Sequence, residues 1–279
     1  MEKEKTSFFQ STFFIRTCSG IVLVLLALFF IISGGSILLG GLSIISLIGM
    51  SELYKVMKID RKLLGFTGYL LCVLYYAHLY FAMDDNSQVV FLVILSLILL
   101  LAVYVFCFPA YRSEQVMTAF FGIFYVAVML SYIYLCRMMD GGAYLVWLVF
   151  LCSWGCDTCA YLTGICIGKH KMAPVLSPKK SIEGAVGGVI GAVLLGILYG
   201  YVFQNQIPAE NASFLCAVVC GIGSLISMIG DLAASAIKRN HEVKDYGTLI
   251  PGHGGILDRF DSVIFTAPVI YYTILFLMK

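Results

Sequence analysis

Near the C-terminus an apolar run is preceded by Pro251-Gly-His-Gly-Gly-Ile-Leu-Asp-Arg-Phe-Asp261. Asp258 and Asp261, three residues apart at the start of a helix, share a face and repel each other. The helix N-terminus offsets part of that, by up to about 1 kcal/mol. Arg259 points around the helix, so a divalent cation is the better counter-charge. Hard oxygen donors with open positions suit magnesium bridging to phosphates. Gly252, Gly254 and Gly255 leave backbone N–H groups open to an anion. The chemistry indicated is a polyanion handled with a metal.

Further acids sit inside apolar segments. Ser224, Ser227, Asp231, Ser235 and Lys238 are spaced by 3, 4, 4 and 3, which aligns them on one helical face. A carboxylate facing lipid costs a few kcal/mol, so this face looks onto protein or water. A plain Asp231–Lys238 ion pair is the competing reading, but intramembrane acids are functional by default. Ser153, Asp157, Tyr161, Gly164 and Gly168 step by 4, 4, 3 and 4, another single face. Asp157 lies about 16 Å of helix from Gly168, so a polar cavity must reach deep from the cytoplasmic side. Asp231, about 10 Å of helix from Lys238, comes near the depth at which Asp258 and Asp261 begin. The three acids can converge at the inner boundary.

The elements that must position these groups are membrane helices. The chain is 61% hydrophobic and 12% charged, against about half and about a quarter in a soluble domain. Spans of roughly 20 apolar residues are needed, and nine are legible: 15–33, 36–51, 63–82, 89–108, 116–136, 142–167, 184–203, 212–237 and 258–278. The first continues for a bilayer width without a cleavage site, so it reads as a retained span. With the N-terminus in the cytoplasm, every lysine and arginine except Arg137 and Lys279 falls on the inner side, while Asp84, Asp85, Asp140 and Glu210 fall outside. The fold class expected is an all-α polytopic membrane protein in one membrane domain. Residues 1–140 are scaffold or subunit-contact helices and residues 141–279 carry the site. His78 reads as an interfacial residue.

Two local patterns read as packing. Gly184, Gly188 and Gly191, with Gly187, Gly196 and Gly200, form small-x-x-x-small patterns that bring helices close. Cys156 and Cys159 make a C-x-x-C with no second ligand pair, and the ten cysteines mostly fill apolar runs.

The 27 residues from Ser235 to Asp261 run S-A-I-K-R-N-H-E-V-K-D-Y-G-T-L-I-P-G-H-G-G-I-L-D-R-F-D. The stretch resembles the C-terminal signature of the phosphatidate cytidylyltransferases: S-x-x-K-R, four residues, K-D, a small residue two further on, then H-G-G-x-x-D-R-x-D. Asp157 with Ala160-Tyr161, and Ser177-Pro178-Lys179-Lys180-Ser181-x-Glu183-Gly184, resemble it too. The likeness covers about residues 150–265; the first half matches only as apolar spans.

The resemblance implies that CTP and phosphatidic acid give CDP-diacylglycerol and pyrophosphate with magnesium, a second cation being left open. It makes Asp231, Asp258 and Asp261 the metal site, with Lys238 beside them as catalytic. Ser177, Lys179, Lys180, Ser181, Ser235, Arg239, Lys244, Asp245, His253, Gly254, Gly255, Arg259, Asp157 and Tyr161 become substrate-binding candidates. The expected partners are CTP, phosphatidic acid and the bilayer, with a homodimer and no nucleic acid. The expected location is the cell inner membrane, multi-pass, with the site facing the cytoplasm. The positive-inside rule alone would explain basic inner loops, but not basic loops combined with buried acids and glycines. A CTP-using polyprenol-type lipid kinase and an ion- or phosphate-coupled transporter are the competing functions. The lack of internal repeat symmetry counts against transport.

Overall fold

The computed structural model describes the backbone of residues 2–81 and 86–278, and side chains over 17–81 and 89–278. The charged side chains of Lys3, Lys5, Arg16, Asp84, Asp85 and Lys279, used above for orientation, lie outside the described residues.

The helices are α1 (Glu2–Ser33), α2 (Gly35–Val56), α3 (Leu63–Phe81), α4 (Asn86–Phe106), α5 (Ser113–Met138), α6 (Gly142–Ile167), α7 (Ile182–Val202), α8 (Ala212–Asn240) and α9 (Leu257–Leu277). Among the described residues eight are long and apolar enough to cross a membrane; the apolar part of α1, Thr17–Ser33, is shorter. α2 outruns its expected end, continuing through Glu52 and Lys55 before Lys58 turns left-handed at φ 59°. Between α6 and α7 the chain forms a hairpin that the sequence reading took as loop. β1 (Lys171–Ala173) and β2 (Ser177–Ser181) pair antiparallel, with Lys171 opposite Ser181 and Ala173 opposite Ser177.

The chain folds as two compact units, Met1–Ala127 with Val243–Arg259, and Val128–Glu242 with Phe260–Lys279. The boundary passes within α5 and α9. Residues Val243–Arg259, the signature loop after α8, cluster with the first-half helices.

In the first unit, Tyr54 is fully buried and its hydroxyl donates to Ala119 O at 2.6 Å. Gly68 and Gly122 make room for its ring, because a Cβ at either would fall within 2.5 Å of it. Tyr76, also buried, donates to Ala127 O at 3.1 Å and meets Ser46 Oγ at 2.8 Å. A buried hydroxyl in an apolar helix bundle must find such a partner.

In the second unit, the glycines of α7 pack as their spacing predicts. A Cβ at Gly188 would lie 2.9 Å from Ala160 Cβ, one at Gly191 2.5 Å from Cys159 Sγ, and one at Gly196 2.7 Å from Cys216 O. Only glycine lets α7 sit this close to α6 and α8. The C-x-x-C is part of that contact surface, and its cysteines are free thiols.

α6 is not a uniform helix. A π segment at Leu151–Gly155 rotates the face on which residues follow one another. Ser153 is therefore buried, bonded to Thr266 Oγ1 at 2.9 Å, while Tyr161 is 68% exposed. Even spacing put these two residues on one face; the wider π turn separates them.

Candidate active site

The second unit holds a cluster of acids around one lysine. β2 ends in Lys180-Ser181, and Ser181 is the N-cap of α7, its Oγ accepting from Gly184 N at 3.1 Å. That cap fixes where the strand stops and so where Lys180 points. Gly168 and Gly184 admit the cap: a Cβ would lie 2.6 Å and 2.9 Å from Ser181 Oγ. Glu183 steadies the hairpin's other end, accepting from Lys169 N at 3.1 Å and meeting His170 Nδ1 at 2.6 Å.

Lys180 Nζ forms an ion pair with Asp231 Oδ2 of α8. Burial pulls its pKa down, but Asp231, Asp157 and Asp261 together overcome this and hold it above the ordinary lysine value. Three carboxylates, from α6, α8 and α9, thus act on a single ammonium. Asp261 is buried, with Oδ1 accepting from Ser262 N at 2.8 Å and Oδ2 3.9 Å from Lys238 Nζ. Lys238 is itself buried on the same polar face as Ser224 and Ser227. Ser177 and Ser235 are half-buried, whereas Lys179 and Arg239 are exposed.

The first unit holds the glycine-rich loop. Its turn closes through Ile250 N to Gly254 O at 2.9 Å and His253 N to Ile250 O at 2.9 Å. Gly252 and Gly254 take φ of 76° and 83°, which any side chain would strain. Asp258 is buried, and its Oδ2 accepts from Tyr246 N at 2.8 Å and Gly255 N at 3.0 Å. The sequence reading grouped Asp258 with Asp231 and Asp261 as metal ligands. In the structure Asp258 Oδ2 accepts from the loop's backbone, and within the second unit Asp157, Asp231 and Asp261 all act on Lys180. Lys244 and Asp245 are exposed on the loop; His253 and Arg259 are half-buried and Gly255 is buried.

Glu52 of α2 is the residue that sequence reasoning missed. It is 4% exposed, and its carboxylate accepts from Ile256 N at 3.0 Å and Leu257 N at 2.8 Å, capping α9. Gly247 and Gly255 pack against it so closely that a Cβ at either would lie 2.4 Å from a carboxylate oxygen. The available signal was compositional: Glu52 and Asp60 are the only acids between Lys5 and Met83. Glu52 had been set just beyond the second span.

Among the described residues no three His, Cys, Asp or Glu side chains form a ready metal-holding group. The donor chemistry around Lys180 nevertheless fits magnesium. Its acids are hard oxygen donors, and the lysine ammonium already stands among them as a cation.

Comparison with known proteins covers nearly the whole chain. The model of the cytidylyltransferase family matches residues 14–277. A phosphatidate cytidylyltransferase of Staphylococcus saprophyticus is 33% identical over 260 residues, 92% of this chain and 96% of that protein. One from Bacillus subtilis is 29% identical over 266 residues with the same coverage. One from Synechocystis is 39% identical over 131 residues, 47% of this chain and 43% of that protein. With a family model spanning all but the chain's ends, and helices that carry its acids as described, this chain belongs to the cytidylyltransferase family.

Proposed function

We propose that this chain transfers the CMP moiety of CTP to phosphatidic acid, giving CDP-diacylglycerol and pyrophosphate. The observation that carries this reading is the near full-length likeness to proteins named phosphatidate cytidylyltransferase. A phosphate monoester has a second pKa near 6, so at pH 7 phosphatidate is largely dianionic and already nucleophilic. Its phosphate oxygen attacks the α-phosphorus of CTP and forms the new O–P bond. The bond from the α-phosphorus to the oxygen bridging it to the β-phosphate breaks, and pyrophosphate leaves with the electron pair. No general base is required. Alignment and charge neutralisation are, as in phosphoryl transfer generally.

Lys180 and Lys238 are suited to meet phosphate charge, and Asp231 holds Lys180 in position. Asp231 and Asp261, with Asp157 beside them, would hold magnesium, which when bound neutralises phosphate charge and polarises the phosphorus. Helices of membrane-spanning length support an active site reached by a lipid. We place that site at the cytoplasmic face of the bacterial cell membrane, in a homodimer.

The test is purified full-length protein with CTP, phosphatidic acid and magnesium, assayed for pyrophosphate and CDP-lipid. Both products in equal amounts are expected. Turnover with ATP in place of CTP, or none with any nucleotide, overturns the reading.

A further inference from the structure

Two cavities of different chemistry meet at His253. One, of about 500 Å³, is bounded by the loop and lined by Lys244, Asp245, Thr248, Gly252, His253 and Arg259. The other is a groove of about 520 Å³ lined by Thr17, Gly20, Ile21, Val24, Leu25 and His253. The α1 residues recur in steps of 3, 1, 3 and 1, which puts them on one helical face. The groove therefore runs along α1, for about 12 Å from Thr17 to Leu25.

The imidazole at the junction is held in place. Ser19 Oγ donates to Pro251 O at 3.1 Å and lies 2.9 Å from His253 Nδ1. These two contacts hold the ring against the turn of the loop. Gly20 has no side chain, and a Cβ there would lie 4.0 Å from His253 Nε2. The ring's second nitrogen thus lies at the mouth of the groove.

The loop cavity is built for an anion. Arg259 Nε is buried and has no hydrogen-bond partner among the described residues. A buried unsatisfied donor is costly, and a phosphate oxygen would supply its acceptor. Lys244 adds a second positive charge against the single carboxylate of Asp245. A nucleotide would suit this cavity but leave the apolar groove without a role. A neutral lipid would suit the groove and leave Arg259 unmet. A phosphorylated lipid answers both, because its anionic head and its hydrocarbon are covalently joined over a short distance.

We propose that the phosphatidate acceptor binds astride His253, its phosphate facing Lys244 and Arg259 and one acyl chain lying along α1 from Gly20 to Leu25. This rests on the function proposed above.

The full-length enzyme and its Val24→Trp variant are assayed with CTP and either dioleoyl or dihexanoyl phosphatidate. The tryptophan narrows the part of the groove that a six-carbon chain does not fill. The ratio of the two KM values should shift about tenfold toward the short-chain lipid, with the KM for CTP moving less than twofold. If the wild-type enzyme is active and the ratio is unchanged, the groove assignment is overturned. If the wild-type enzyme turns over neither lipid, it is the proposed function that fails. A second measurement needs no variant: phosphatidate bearing a diazirine on its acyl chain is photolysed with the wild-type protein. Labelling should fall on residues 17–25 and be displaced by excess phosphatidate but not by phosphatidylcholine. Labelling confined to other helices, or displaced equally by both lipids, overturns the proposal.

Discussion

Lys180 stands at the end of a strand, among acids contributed by three separate helices. Asp231→Ala and Asp261→Ala should each lower kcat by at least about 100-fold, the scale for losing a group that meets transition-state charge. Size-exclusion profiles in detergent should be unchanged, and near-normal rates in both variants would remove the metal assignment. Chelation with EDTA should abolish turnover and added magnesium restore it. Lys180 also sets a pH dependence. Its folded pKa is raised, so the ion pair stabilises fully below the ordinary lysine pKa and is lost as pH rises through the folded value. Thermal unfolding should therefore be flat in this respect through neutrality and fall only in strong alkali. Lys180→Met should remove that alkaline decline.

At the scale of elements, the loop and α9 depend on a helix more than 200 residues earlier in the chain. Glu52→Ala leaves the buried Leu257 amide and the part-buried Ile256 amide without acceptors, a loss of about 1–3 kcal/mol. Hydrogen exchange at Ile256 and Leu257 should accelerate accordingly, by about 10- to 100-fold, while the α6–α7–α8 amides stay protected. Equal acceleration everywhere would mean that Glu52 supports the whole fold and not this loop. The α7 glycines make a separate case: Gly188→Val drives two methyls toward Cys156 and Ala160, where a single Cβ already meets atoms at 2.9 Å. Overpacking of this kind costs about 1–3 kcal/mol, readable as a lower unfolding temperature in detergent.

At the scale of the whole molecule, the sequence expectation of an inner N-terminus and nine crossings predicts an outer C-terminus. A phosphatase that is active only outside the membrane, fused after Lys279, should be active; a fluorescent protein that matures only inside should be dark. The reverse pair of results would mean that α1 does not cross. Native mass spectrometry in detergent should give twice the mass of the chain if the first-half helices pair two copies. A monomer at every concentration would remove that expectation.

The sequence determined what is local. Apolar length set the spans, and the glycine steps of α7 foretold its close packing because both depend on neighbours a few residues away. The long signature from Ser235 to Asp261 was enough to point to the family, since its residue types and spacing are read along one stretch of chain. Periodicity aligned Asp231 with Lys238, and the structure gives each a different partner, Lys180 and Asp261. Only the tertiary structure decided which acids share a counter-charge, setting Asp157 with Asp231 and Asp261 and turning Asp258 to the backbone of its own loop. It alone brought Glu52 under α9 and folded Ser177–Ser181 as a strand. The π turn in α6 likewise broke a face that even spacing had drawn. The physical reason is range: helical periodicity carries phase for a few turns, whereas the partner of a buried charge is chosen by which helices pack, and any insertion in a turn resets that phase.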